Sequence, residues 1–222
     1  MFIGHFGLSF AAKKAAPKVS LGTLFIATMF VDIIWPFLLV FHVENVAIVP
    51  GYTQSNALEF LYFPYTHSLL AGIIWGMVVG FIYWLCKRDQ RGAIVVGLCV
   101  LSHWFFDLIV HTADLPLSPF GDFKVGFGLW NHVAISLTME TIIFLAGVYL
   151  YATFTKAKTT TGKWALWSFV IFLLIFQFVN TFGPPPSNSI MNLFVSLVTL
   201  IAIIVSLAYW IDKKRLVISD LV

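Results

Sequence analysis

Six apolar stretches, each long enough to cross a bilayer, dominate this 222-residue chain. A span takes about 20 apolar residues. The stretches lie near 20–43, 66–86, 92–111, 130–154, 163–183 and 190–211. Polar or turn-rich breaks separate them, at Glu44–Tyr65, Lys87–Arg91, Thr112–Leu129, Thr155–Gly162 and Gly183–Ser189. Unpaired backbone groups are not tolerated in hydrocarbon, and runs this long do not suit barrel strands, so the spans are expected to be helices. Composition agrees. Only 10% of the residues are charged and 60% are hydrophobic, against roughly a quarter charged in soluble domains. The expected fold is all-α: a polytopic integral membrane bundle of six transmembrane helices in one membrane domain, residues 1–222.

Charge placement orients the set. Lys13, Lys14 and Lys18 precede the first span; Lys87, Arg88 and Arg91 join the second and third; Lys156, Lys158 and Lys163 join the fourth and fifth; Lys213, Lys214 and Arg215 follow the sixth. Lys124 alone falls on the other side. The positive-inside rule then predicts both termini in the cytoplasm. Met1–Ala12 is too short to span. It does not read as a secretory signal, because Lys13 and Lys14 follow its apolar run. It is expected either to lie in the interface or to dip inward, since a helix of this length reaches roughly 18 Å. Pro17 should separate it from the first span. Cys86 and Cys99 do not suggest a disulfide framework.

Ionisable residues inside spans are costly and mark function. Asp32, Asp107 and Glu140 are such residues. His103, Asp107 and His111 follow an i, i+4, i+8 spacing, which puts them on one helical stripe. Nitrogen and carboxylate ligands on one helix face are how a bundle offers a divalent metal several bonds. His132 and Glu140 share a face two turns apart, a spacing open to both a metal and a packing role. His67 opens the second span within Thr66-His67-Ser68. Asp32 sits mid-span, and Pro36 four residues later cannot bond its carbonyl, so a bend is expected there. By helix rise, Asp107 and His103 lie about 6 and 12 Å deeper than His111. The groups therefore point into the outer half of the membrane, reached from outside or sideways from the outer leaflet. His5 joins them only if Met1–Ala12 dips inward; otherwise it is interfacial, as is His42. Asp114 and Asp122 read as solvated loop acids. Gly72, Gly76 and Gly80 form a GxxxGxxxG stripe suited to close helix packing. Trp130 and Trp210 read as interfacial anchors, and Gly183-Pro184-Pro185-Pro186 as a rigid outer hairpin. Residues 1–154 hold every His and every acid placed within a span. Residues 155–222 read as a supporting hairpin.

The order of His5, Asp32, Thr66-His67-Ser68 and Ser102-His103 with Asp107 resembles the bacterial membrane-bound, predicted metal-dependent hydrolases. The resemblance covers about residues 1–140. That family is in turn distantly similar to the zinc-dependent phospholipase C and P1 nuclease group. The resemblance implies a bacterial inner-membrane location and one to three divalent ions, with zinc expected. The ligands would be drawn from Asp32, His67, His103, Asp107, His111, His132, Glu140 and His5. It also implies hydrolysis of a lipid or lipid-linked phosphate ester, with Glu140 or Asp32 as general base. The partner is membrane lipid rather than nucleic acid. His132 and Glu140 depart from the close ligand spacing of the soluble phospholipases. Two other readings use the same residues: a divalent-metal or proton transporter or channel, and a non-catalytic membrane protein with a structural metal. The absence of an internal repeat weighs against the transporter.

Overall fold

The computed structural model describes residues 1–187 and 189–218; residue 188 of the predicted outer hairpin and residues 219–222 of the supporting segment lie outside the described residues. The chain is 69% helical. Among the described residues, five helices are long and apolar enough to cross a membrane: α5 (Leu69–Lys87), α6 (Gln90–Val110), α7 (Val133–Phe154), α8 (Thr160–Phe182) and α9 (Ile190–Lys213). A bent pair, α2 (Leu21–Thr28) and α3 (Phe30–Val40), passes the same test as one broken span. The remaining helices are α1 (Ile3–Ala15) and the single turn α4 (Pro64–His67). Short antiparallel pairs decorate the connections: β1 (Asn45–Ile48) with β2 (Leu58–Tyr62), β3 (Leu115–Pro116) with β4 (Lys124–Val125), and β5 (Thr155–Ala157) with β6 (Arg215–Val217).

Local chemistry sets the helix starts. The hydroxyls of Ser20, Ser68, Thr159 and Ser189 and the carboxylate of Asp89 each accept the N–H of the residue three positions on, which satisfies an orphan donor. Arg88 adopts the left-handed conformation after α5, so the chain reverses at once into α6. The α5–α6 hairpin then closes through its glycines. A Cβ on Gly76 would meet the Gly97 carbonyl oxygen at 2.7 Å, and one on Gly80 would meet that of Ala93 at 2.8 Å. Gly76 and Gly80 thus give the close packing expected from the GxxxGxxxG stripe, whereas a Cβ on Gly72 would meet only side chains at ordinary contact, 3.6 Å or more away.

The N-terminal segment dips inward. Ile3, His5, Phe6 and Phe10 have no exposed surface, so α1 is a buried helix rather than an interfacial one. It lies on α7 at backbone contact. A Cβ on Gly7 would sit 2.6 Å from the Ile143 carbonyl oxygen, and one on Gly147 would collide with the Gly7 carbonyl. Phe6, Phe10, Phe25, Phe144, Tyr151 and Phe169 form an aromatic core joining α1, α2, α7 and α8. At the far end of α1, Lys13 Nζ donates to Asp212 Oδ2 at 2.8 Å, and Tyr151 Oη and the Leu21 N–H also donate to this carboxylate. Asp212 lies in the last turn of α9, just beyond the predicted span 190–211, and joins the supporting hairpin to α1. It clamps the buried helix.

The first span bends by 50°, but not at Pro36, where the sequence led us to expect the bend. The break is at Met29, three residues before Asp32, and Pro36 sits inside α3. One loose turn at Met29 is enough to redirect the axis. Asp32 consequently lies in the first turn of α3, where a helix N-terminus favours a negative charge.

Candidate metal centre

Four separate segments deliver the ligand-type side chains to one place. Asp32 comes from α3, His67 from the end of α4, and His103 and Asp107 from α6; His111 caps the C-terminus of α6. His5 arrives on α1. Asp107 is the hub. Its Oδ2 lies 3.1 Å from His103 Nε2, 3.7 Å from His111 Nε2 and 4.0 Å from His67 Nε2. Its Oδ1 lies 3.2 Å from His5 Nε2 and accepts from the Met1 amino group at 2.6 Å. Asp32 bridges the other side, with Oδ1 3.2 Å from His67 Nε2 and Oδ2 3.6 Å from His103 Nε2. His5 stacks on His103 with ring centroids 3.9 Å apart. Two groups therefore have ligand atoms close enough to share an ion: His5, His103 and Asp107, and Asp32, His67 and His103.

The outer ring nitrogens show what the inner ones are for. His103 Nδ1–H donates to the Thr28 carbonyl at 2.7 Å, beside the Met29 break. His111 Nδ1–H donates to Asp114 Oδ1 at 2.9 Å. Thr66 Oγ1 donates to Glu44 Oε2 at 2.7 Å, so His67 Nδ1–H donates to Thr66 Oγ1 at 2.6 Å. With Nδ1 protonated, a neutral imidazole offers a lone pair at Nε2. In all three rings that lone pair faces a carboxylate oxygen. His103 Nε2 is buried and has no hydrogen-bond partner among the described residues. Lone pairs gathered around two carboxylates repel, and a cation between them removes the conflict. Imidazole and carboxylate donors suit zinc and related divalent metals, and the outward Nδ1–H bonds are the support that metal-binding histidines use. The donor set fits the expected metal.

Two acids acquire roles that sequence reasoning did not give them. Asp114 is buried and accepts from both His111 and Thr112, so it is no solvated loop acid. Glu44 has no exposed surface and also accepts from the backbone N–H groups of Tyr65 and Thr66. Burial pushes its carboxyl above the ordinary carboxylate value, opposed by the nearby imidazole and these hydrogen bonds. The one signal in the sequence was local, an Asp three residues after His111.

Other nominated residues lie elsewhere. His132 is exposed at the N-cap of α7 and joins neither ligand group. His42 and Asp122 are exposed. Glu140 is buried but directs Oε2 at the start of α1, accepting from the N–H groups of Phe2 at 2.8 Å and Gly4 at 3.4 Å. It caps the buried helix and belongs to neither ligand group. Trp130 packs against the His111 ring at 4.3 Å between centroids instead of standing alone as an anchor.

The centre opens into a cavity of about 730 Å³, within the usual range for ligand pockets. Asp32, His67, Asp107, His111 and Glu140 line its inner end. Exposed residues of the β1–β2 loop and Pro184–Pro186 line its outer end. No known protein family, curated protein or solved structure matches this chain.

Proposed function

We propose that this protein is a membrane-embedded, metal-dependent hydrolase of a lipid or lipid-linked phosphate ester. The observation that carries the reading is the set of three imidazoles, each held by Nδ1 and turned by Nε2 onto Asp107 and Asp32 inside a bundle of membrane-length helices. His5, Asp32, His67, His103 and Asp107 would hold the ion, with His111, 3.7 Å from Asp107 Oδ2, as a further ligand. A divalent cation supplies Lewis acidity there, polarising a phosphoryl oxygen and acidifying water. The protein's own part is to fix the ligands, to exclude bulk water with Phe60, Phe63, Trp35 and Trp130 around His67 and His111, and to move a proton. Both oxygens of Asp32 already face ligand nitrogens, of His67 and His103. Glu140 lines the same cavity with Oε1 uncommitted to α1, so it is the better general base. Charge placement supports a bacterial inner-membrane orientation with both termini cytoplasmic and the cavity opening outward.

The test is bound metal and turnover measured together. Purified protein should contain zinc or a similar ion and release phosphate from, or cleave, a phospholipid in detergent. His103→Ala and Asp107→Ala should lose both metal and turnover, whereas His132→Ala should keep them. Metal-free wild-type protein purified without chelators sinks the centre. Cation flux in liposomes without turnover replaces the hydrolase by a transporter.

A further inference from the structure

We propose that the cavity is a two-part lipid slot. Its polar wall receives a phosphate-bearing head group, and the gap between the outer halves of α8 and α9 admits the lipid sideways from the bilayer. This rests on the reading that the centre acts on a lipid. Three buried polar atoms carry it. Trp35 Nε1, Ser55 Oγ and Gln177 Oε1 have no hydrogen-bond partner among the described residues, and all three residues line this cavity. Buried polar groups are nearly always paired, so each such atom needs an explanation. Here α3, the β1–β2 loop and α8 contribute one each to a single space, which points to a ligand.

The chemistry of the three atoms describes that ligand. An indole N–H only donates, and a serine hydroxyl donates readily, so Trp35 and Ser55 suit phosphoryl oxygens. Gln177 Nε2 is turned to Thr181 Oγ1, which leaves Oε1 to accept from a head-group hydroxyl or ammonium. The lining also has an apolar part, formed by Phe176, Leu193, Leu197 and Leu200. Inorganic phosphate would use the donors but not this part. Asn180 on α8 and Ser196 on α9 are exposed and also line the cavity.

Photolabelling of the full-length protein tests the slot without requiring turnover. A long-chain phospholipid carrying a diazirine near its glycerol backbone is incorporated with the protein in mixed micelles, photolysed, and its adducts are mapped by mass spectrometry. Adducts are expected on Phe176, Leu197 and Leu200. Excess unlabelled phospholipid should compete them away and inorganic phosphate should not. Ser196→Trp should abolish them while leaving labelling of outward-facing Ile175 and Val195; Asn180→Trp blocks the gap from the other wall if the first variant fails to fold. Adducts confined to Ile175, Phe178 and Val195 overturn the slot, and displacement by inorganic phosphate assigns the polar wall to the free anion instead. Cavity labelling in a protein without turnover removes the hydrolase reading and keeps the slot.

Discussion

His67, His103 and His111 each have one ring nitrogen already engaged, by Thr66, the Thr28 carbonyl and Asp114 respectively. These bonds fix tautomer and ring orientation, and outer partners of this kind typically alter metal affinity by about 10–100-fold. The Glu44–Thr66–His67 chain gives the cleanest test, because Thr66 would act on a bound ion only through the ring. Thr66→Val keeps the side-chain shape and removes the hydroxyl. It should weaken zinc binding by about 10-fold or more in a competition titration with a chromogenic chelator, with unchanged helix content by circular dichroism. Thr66→Ser should restore most of the affinity. Equal affinities for all three proteins would show that the hydroxyl does not set the ring. The acids at this scale divide by partner, not by position in a span. Asp114 and Glu44 lie in connections yet are buried, whereas Glu140 lies within a helix and serves α1.

At the scale of elements, the decisive contact is between α1 and α7. Buried helices without a glycine at the crossing normally stand 8–10 Å apart; Gly7 and Gly147 let these two backbones touch. That approach carries His5 to Asp107 and presents the first N–H groups of α1 to Glu140. Gly147→Val has no room to relax, because its neighbour is backbone. Overpacking of this sort costs about 1–3 kcal/mol. The variant should melt several degrees lower in detergent and bind less metal, whereas Gly121→Val, at an open loop position, should change neither. A Gly147→Val protein with wild-type melting and metal content would mean that α1 is not pressed on α7. The Met29 break matters in the same way. It places Asp32 at the start of α3 and leaves the Thr28 carbonyl to receive His103.

For the molecule as a whole, the bundle places the candidate metal centre and its cavity at the helix ends opposite the lysine-rich connections. Orientation can be read with a membrane-impermeant thiol reagent on intact cells. Cys86 is exposed beside Lys87, on the side assigned to the cytoplasm. Gln54→Cys, in a Cys86→Ser background, stands at the outer end of the cavity. Position 54 should label in intact cells, and Cys86 of the wild type should label only after lysis. The reverse pattern would place the cavity mouth in the cytoplasm. Metal should also stabilise the whole bundle, since an ion that binds only the folded state adds stability in proportion to the logarithm of its concentration. A chelator should therefore lower the melting temperature of the wild type and not that of Asp107→Ala.

The membrane-length helices follow from the sequence alone, because a long apolar run in lipid has no alternative to pairing its own backbone. So does the His103–Asp107–His111 stripe, because helical spacing fixes which side chains share a face. The close packing of Gly76 and Gly80 was legible for the same local reason. Tertiary structure decided the rest. Whether Met1–Ala12 lies flat or dives depends on Gly147, about 140 residues away, and on the Lys13–Asp212 clasp. The bend fell at Met29 rather than Pro36. Above all, the pattern of His and Asp in four helices named candidates without saying which would meet. Asp107 became the hub, Glu140 turned to α1 and His132 stayed outside, because only packing determines which faces of separate helices point at one another.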